Sequence, residues 1–414
     1  MRTTLFIGLC LLLFAGLVSA EKGKPAGKGA FRGTDLLWNL DSLRRCPAFE
    51  WTGAKGPVRS LLMRSVDYGG KPTRAFAYYS NPDLLMGRAP GRRKFPAVVL
   101  LHGGAGRAFR EWVEKWAADG YAALALDLSG QGEDGARMPD GGPDLSDTQQ
   151  VFLNAENGDM RSMWTYHAAA TAVLGHSLLL SLPEVDRDKT CLTGISWGGY
   201  LTCIVAALDD RFRAAAPVYG CGYYDRLPFF GYGMDALSEA GRERWMKYLD
   251  ASVYLPYVRI PMLFVNGNRD TAYDLFAHSR SCRLVADSLR TICIRPDMQH
   301  GYYEGWEPRE IRCFFESVVN GGCPLIDIGK TTVGEQQVTM AFDSRISPYR
   351  AFFYYTNDTG PDNVNRKWER RAARIDASGG VVTCPLPEEG FRIGFFVIDD
   401  VRLLAVSGGF IMNP

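Results

Sequence analysis

Three residues of the 414-residue chain have the types and chain order for nucleophilic acyl transfer: Ser196, Asp270 and His300. A serine hydroxyl attacks a carbonyl only when a base takes its proton. An imidazole acts as that base when a carboxylate orients it and balances its developing charge. The order Ser, Asp, His is one of the orders in which these three groups recur. Ser196 stands in Gly194-Ile195-Ser196-Trp197-Gly198-Gly199-Tyr200, a G-x-S-x-G pattern followed by a further glycine. The apolar run Thr190-Cys191-Leu192-Thr193 leads into it, and Tyr200 to Leu208, free of Gly and Pro, leads out. That predicts a strand, a sharp turn and a buried helix. Gly194 and Gly198 let strand and helix approach closely, and the helix N-terminus lies beneath a developing negative charge.

In a chain with 45 glycines the pattern alone could be an ordinary tight turn. Its surroundings argue otherwise. Pro96-Ala97-Val98-Val99-Leu100-Leu101 reads as a strand buried on both faces and runs into His102-Gly103-Gly104-Ala105-Gly106. A glycine-rich loop there can turn amides inward, so the N–H groups of Gly104, Ala105 and Trp197 are the expected oxyanion hole. Asp270 follows the strand beginning Pro261-Met262-Leu263-Phe264-Val265, and His300 follows Arg290-Thr291-Ile292-Cys293-Ile294. All three side chains should therefore meet at one edge of a sheet. Asp274 lies a turn too far on for the acid, and Asp297 is too near His300 to reach the far side of its ring. Of the other histidines beyond residue 20, His102 belongs to the glycine loop. His167 falls on a helical apolar stripe (Met160, Met163, Trp164, Leu174, Leu178) as a core residue. His176 falls on that helix's polar side, and His278 on a helix after the acid.

The remaining elements follow from periodicity. Val58–Val66 and Arg74–Tyr79 read as an antiparallel pair about a Gly69-Gly70-Lys71-Pro72 turn. Glu111–Asp119 reads as a helix with Trp112, Val113 and Trp116 inward, and Tyr121–Leu126 as the next strand. A polar Gly/Pro-rich loop then runs from Asp127 to about Asp159. Its Asp140, Asp144 and Asp147 suit turns and caps, since the EF-hand spacing is absent. Residues 220–258 form an aromatic-rich insertion that either shapes a substrate pocket or packs on itself. Strands alternating with helices over 35–325 imply a mostly parallel sheet with helices on both faces. After Asn320-Gly321-Gly322-Cys323-Pro324, short alternating runs between turns imply a small Ig-like β-sandwich over 326–414. It would either bind carbohydrate or pack against the catalytic domain.

Composition bounds the function. The formal net charge is +1 with no dense basic run, which argues against nucleic-acid binding. Met1-Arg2, the apolar stretch Leu5 to Val18, and Val18-Ser19-Ala20 read as a signal peptide over 1–20, cleaved after Ala20, with an uncleaved anchor as the alternative. A Gly/Lys-rich flexible leader follows over 21–34. The expected product is secreted or periplasmic, with no membrane insertion after cleavage. Nine cysteines then remain. Cys191, Cys203 and Cys293 fall in core elements, and a pair among Cys46, Cys221, Cys282, Cys313, Cys323 and Cys384 stays open. There is no CxxC, and the chemistry needs neither metal nor organic cofactor. Asn357-Asp358-Thr359 is a glycosylation acceptor sequence.

Residues 35–325 resemble the α/β-hydrolase superfamily. The leader Trp51 with Gly56-Pro57-Val58-Arg59-Ser60-Leu61, the His102 loop and Met298 to Pro308 are similar to secreted acetylxylan esterase and dienelactone hydrolase relatives. The elbow is also similar to that of the prolyl oligopeptidase family. The resemblance implies a serine hydrolase with Ser196 as nucleophile, Asp270 as acid and His300 as base. Two features depart from it: no β-propeller precedes the domain, and Ile195 and Trp197 stand where cephalosporin-deacetylase-type esterases usually carry Gly and Gln. The reading is an exported esterase removing small acyl groups from a carbohydrate. A serine peptidase acting on short peptides is the alternative, and a silent carbohydrate-binding scaffold is the reading outside enzymes.

Overall fold

The computed structural model describes residues 37–53, 55–89 and 91–413. The expected signal peptide and leader lie outside the described residues. Among the described residues, Phe49–Gly53 (β1), Arg59–Arg64 (β2), Arg74–Ser80 (β3), Phe95–Leu101 (β4), Ala122–Leu126 (β5), Val185–Ile195 (β6), Ala214–Val218 (β7), Met262–Arg269 (β8) and Arg290–Gln299 (β9) build one nine-stranded sheet. Its order is β1-β2-β3-β5-β4-β6-β7-β8-β9. The β1/β2, β2/β3 and β3/β5 pairs are antiparallel, and every pair from β5 to β9 is parallel. The edge strand β1, short and ending in Gly53, has little sequence signal and goes unpredicted.

The central strands are buried along nearly their whole length, β5 and β7 at every residue. Their unbroken apolar runs require cover on both faces. Two helix pairs supply it. Trp164–Leu179 (α2) packs against Trp197–Leu208 (α3), which lies on β6 and β7. Arg110–Ala118 (α1) meets Arg309–Val319 (α6) through Trp116 and Phe315, whose ring centroids are 5.6 Å apart. Two shorter helices, Leu275–Cys282 (α4) and Tyr302–Trp306 (α5), follow β8 and β9.

His176 departs from expectation. It is fully buried, its Nδ1 2.8 Å from Asp209 Oδ2 and its Nε2 2.9 Å from Thr190 Oγ1. Helix α2 has no polar side to offer: all its residues except Tyr166 are buried. His167, by contrast, is the expected core residue, with Nε2 3.0 Å from the Arg161 carbonyl. The cysteine question also closes. The nine cysteines among the described residues are free thiols, and six are buried, where they pack as small apolar groups.

The C-terminal segment forms Asp327–Val333 (β10), Gln337–Asp343 (β11), Pro348–Thr356 (β12), Glu369–Asp376 (β13), Val381–Pro385 (β14), Ile393–Asp400 (β15), Ala405–Ser407 (β16) and Ile411–Met412 (β17). They make an antiparallel sheet in the order β10-β11-β14-β13-β12-β15-β16, with β17 also on β15. β13 changes partner along its length, pairing with β12 over 369–373 and β14 over 374–376, so the sheet folds over. Val338, Met340, Phe353, Val382, Phe396 and Ile398 are buried in its core. This segment docks on the first sheet. Ile294 N–H donates to Ser407 Oγ at 2.8 Å, and Ala405 N–H donates to the buried Glu310 carboxylate at 2.9 Å.

Candidate active site

Ser196, Asp270 and His300 are each the first residue after a strand: β6 ends at Ile195, β8 at Arg269 and β9 at Gln299. Parallel strands end on the same edge, so three positions remote in sequence converge there. Ser196 is held at φ 59° and ψ −118°, a left-handed conformation rare for a residue with a side chain. Its N–H donates to the Val218 carbonyl at 2.9 Å, and its own carbonyl accepts from Tyr200 N–H to close the first turn of α3. Such a conformation costs on the order of 1–3 kcal/mol and persists only where packing enforces it. The enforcing contact is visible. A Cβ on Gly194 would lie 2.2 Å from the Gly198 carbonyl oxygen, and one on Gly198 would lie 2.0 Å from that of Leu101. Strand and helix are too close at these two positions for any side chain.

The three side chains form a continuous hydrogen-bonded chain. His300 Nδ1 is 2.7 Å from Asp270 Oδ2, and His300 Nε2 is 3.0 Å from Ser196 Oγ. A carboxylate only accepts, so Nδ1 carries the hydrogen and the Nε2 lone pair faces the serine hydroxyl, which donates to it. Asp270 is almost wholly buried, and its Oδ1 accepts from the N–H groups of Ala272 at 2.7 Å and Tyr273 at 2.5 Å. Asp274, set aside as the acid, instead caps helix α4 by accepting from Phe276 and Ala277 N–H.

Two tyrosines that sequence reasoning missed flank the imidazole. The ring of Tyr219 is 4.6 Å from that of His300, and its hydroxyl donates to the Gln299 carbonyl at 2.7 Å. Tyr219 is itself left-handed, at φ 65°. The Tyr273 ring is 6.0 Å from that of His300 and nearly parallel to it, and its hydroxyl shares a 2.6 Å hydrogen bond with Tyr224. Nothing in the sequence separates these two from the many other aromatic residues.

The glycine-rich loop packs directly against the elbow. Gly103 approaches Ser196, Ala105 adopts φ 54°, and Gly104 lies beside the Trp197 ring, where a Cβ would be 3.3 Å from Cδ1. Trp197 opens α3, so its N–H is among the first-turn amides that have no acceptor within the helix. The loop is fixed by His102, whose Nε2 accepts from Leu128 N–H at 2.8 Å. Its Nδ1 must then be the protonated nitrogen, and it donates to the Gly103 carbonyl at 2.8 Å. Desolvation lowers the His102 pKa to about 4, so this arrangement keeps a neutral ring. Tyr302, also missed, donates to the Gly104 carbonyl at 2.8 Å from the other side.

The aromatic insertion largely packs on itself. Tyr224, Phe230 and Trp245 are buried, and Tyr224 and Phe230 lie against Trp197 with centroids 5.1 and 5.0 Å away. Phe229 and Tyr232 remain exposed. Among the described residues no cluster of three or more His, Cys, Asp or Glu could hold a metal ion. No helix there is long and apolar enough to cross a membrane.

Comparison with solved structures matches the architecture. Acetyl xylan esterase from Paenibacillus sp. R4 aligns with a TM-score of 0.53 at 19% identity, covering 70% of this chain and 97% of that one. The fold is that of the α/β-hydrolases. Acetyl xylan esterase 1 from Thermoanaerobacterium sp. JW/SL YS485 aligns at 0.50 and 19% identity, covering 70% and 95%. An acylaminoacyl peptidase from Pyrococcus horikoshii aligns at 0.47 and 19% identity, covering 66% and 42%. The α/β-hydrolase resemblance read from the sequence therefore stands. Residues 74–253 match the model of the family described as acetyl xylan esterase (AXE1), under half of the chain. That segment holds Gly104, Ala105, Ser196 and Trp197 but ends before Asp270 and His300, which only the folded geometry joins to them. No curated protein matches the chain.

Proposed function

We propose that the chain is a serine carboxylic-ester hydrolase that removes small acyl groups, acetyl foremost, from a carbohydrate. The observation that carries this reading is the hydrogen-bonded chain Asp270–His300–Ser196 ending on a serine at a strained elbow. The family match over 74–253 supports acetyl esters as the substrate class. In this reading His300 Nε2 takes the Ser196 proton as Oγ bonds to the ester carbonyl carbon. The N–H groups of Gly104, Ala105 and Trp197 stabilise the resulting oxyanion. When the tetrahedral intermediate collapses, the carbon–oxygen bond to the sugar breaks, and the sugar oxygen takes the proton from His300. Water then gives its proton to His300 and its oxygen to the acyl carbon, and acetate leaves as Ser196 regains a proton. Asp270 holds the imidazole in the tautomer that accepts from serine and offsets its charge when protonated.

We also propose export directed by residues 1–20, supported by the apolar run Leu5 to Val18 and the small residues Val18-Ser19-Ala20 that follow. The division near residue 325 and an immunoglobulin-like sandwich beyond it belong to the same proposal. The folded-over antiparallel sheet supports both.

The test is acetate release from acetylated xylan by the chain lacking residues 1–20, with a proline-containing peptide amide alongside and Ser196→Ala as the blank. Acetate release that the substitution abolishes is the expected result. Peptide cleavage without acetate release would replace the esterase with a peptidase.

A further inference from the structure

The C-terminal segment reaches the acid of the site. Between β12 and β13 its chain leaves the sheet in a loop, and Asn363 Nδ2 donates to the Asp270 backbone carbonyl at 2.9 Å. The neighbouring residue is held by the same loop: one guanidinium nitrogen of Arg269 donates to the carbonyls of Val364 at 2.6 Å and Arg366 at 2.9 Å. Asn363 is itself fixed from behind. Arg366, with no exposed surface, donates to Asn363 Oδ1 at 2.6 Å and to the Gly360 carbonyl at 2.6 Å. Its guanidinium lies 5.6 Å from the Phe276 ring centre and 6.0 Å from that of Trp368.

This arrangement leaves the amide no choice of orientation. A guanidinium only donates, so the Asn363 oxygen must face Arg366 and the nitrogen must face Asp270. A buried arginine is costly to keep in the interior unless its charge has a use there. Here Asp274, Asp358 and Asp362 offset the charge, and one of the Arg366 hydrogen bonds fixes the Asn363 amide that faces the Asp270 carbonyl. The carbonyl belongs to the residue whose side chain orients His300, and 2.7 Å separates the two groups.

We propose that Asn363 is a positioning residue for Asp270, so that the C-terminal segment completes the active site. The inference rests on the serine-hydrolase reading above. Asn363→Asp tests it without changing size. The variant keeps an oxygen toward Arg366 but sets a second oxygen against the Asp270 carbonyl, so that two acceptors confront each other. Asn357→Asp is the control, since it makes the same change at a residue exposed on the same loop.

The readout is fluorophosphonate labelling of the full chain, followed as both rate constant and end-point, with kcat and KM on an acetyl ester. A residue that only stabilised the fold would slow both rates in proportion to the folded fraction, read independently by circular dichroism and urea unfolding. A positioning residue lowers the labelling rate constant, and kcat at constant KM, in protein that is fully folded. The expected fall for Asn363→Asp is roughly ten- to hundredfold in both rates, the scale of a small misplacement of a catalytic group, with Asn357→Asp unchanged. If Asn363→Asp does not fold, Arg269→Gln replaces it, losing the two loop contacts and a 3.6 Å ion pair with the exposed Asp297; Asp297→Asn, which breaks the same ion pair, is its control, and a several-fold slower rate in Arg269→Gln than in Asp297→Asn is then expected. Wild-type rates in the variant tested would overturn the inference. Ser196→Ala separates this from the underlying reading: if that variant is still labelled and active, the reading itself fails.

Discussion

Gly103 and Ser196 are packed so closely that a β-carbon on Gly103 would lie 2.8 Å from the Ser196 β-carbon and 2.7 Å from the Ile195 carbonyl oxygen. The nucleophile's position is therefore set by the loop opposite it as well as by its own turn. Neither neighbour is the free end of a flexible side chain, so the clash cannot be relieved locally. Gly103→Ala is expected to lower kcat about a hundredfold by displacing Ser196 from His300. It should also cost about 1–3 kcal/mol of stability as an overpacked site. Steady-state kinetics and urea unfolding check both.

Asp270→Asn separates orientation from folding. An asparagine carbonyl can still accept from Ala272 and Tyr273 N–H, so the loop should persist. Its amide would then face Nδ1 of His300 as a donor, forcing the hydrogen onto Nε2, where it opposes the serine proton. The expected fall in kcat is about 10⁴-fold with an unchanged melting temperature. A fall of less than tenfold would show that Asp270 does not set the tautomer.

Tyr302→Phe probes the loop from its far side. It removes the one hydroxyl that donates to the Gly104 carbonyl and leaves the ring packed at 4.7 Å from Phe109. One lost hydrogen bond is worth about 1 kcal/mol. If the loss falls on the transition state, kcat drops roughly fivefold at constant KM. An equal loss in the melting temperature with unchanged kcat would make the contact purely structural.

Buried histidines set the acid sensitivity of the fold. Desolvation lowers His102, His167 and His278 from 6.5 to about 4. Between these values the unfolded chain binds more protons than the folded one, so stability rises with pH. Their contribution is complete above pH 6.5 and is lost as the pH falls toward 4. Asp127 has the opposite sign: burial raises it from 3.8 to about 7, so its contribution is present below 3.8 and lost as pH rises through 7. His176 is lowered by burial as well, and Asp250 and Asp274 are raised beside Asp127, so four imidazoles oppose three carboxylates and the net loss on acidification is at most about 1 kcal/mol per pH unit between 6.5 and 4.5. Urea unfolding across that window should show it. His278→Leu, which removes a buried ring lying against the Cys282 thiol and Phe264, should reduce the slope by about 1 kcal/mol per unit.

The sequence makes the reacting groups legible because each stands at a place with a local signature. Ser196 lies between glycines that must be glycines, and Asp270 and His300 each follow an apolar strand. What orients them leaves no such mark. Tyr302, Tyr219 and Asn363 act through contacts with partners between 80 and 198 residues away. Their residue types are those of any packed aromatic or loop amide. His176 was misplaced for a related reason. A stripe drawn on one side of α2 assumes a solvated opposite side, whereas the alanines Ala168, Ala169, Ala170 and Ala172 let the helix be enclosed almost all round. In the C-terminal segment, alternation predicts β11 to β15 well. β10, with Gly329, Lys330, Thr331 and Thr332, owes its strand to pairing with β11 rather than to any apolar pattern.

The most direct test of the central claim is to locate the residue a fluorophosphonate modifies. Peptide mapping of the labelled chain should find the adduct on Ser196 alone. Labelling should be abolished by Ser196→Ala and slowed at least about a thousandfold by His300→Ala. Ester turnover that persists in Ser196→Ala, or an adduct at another residue, would contradict the account.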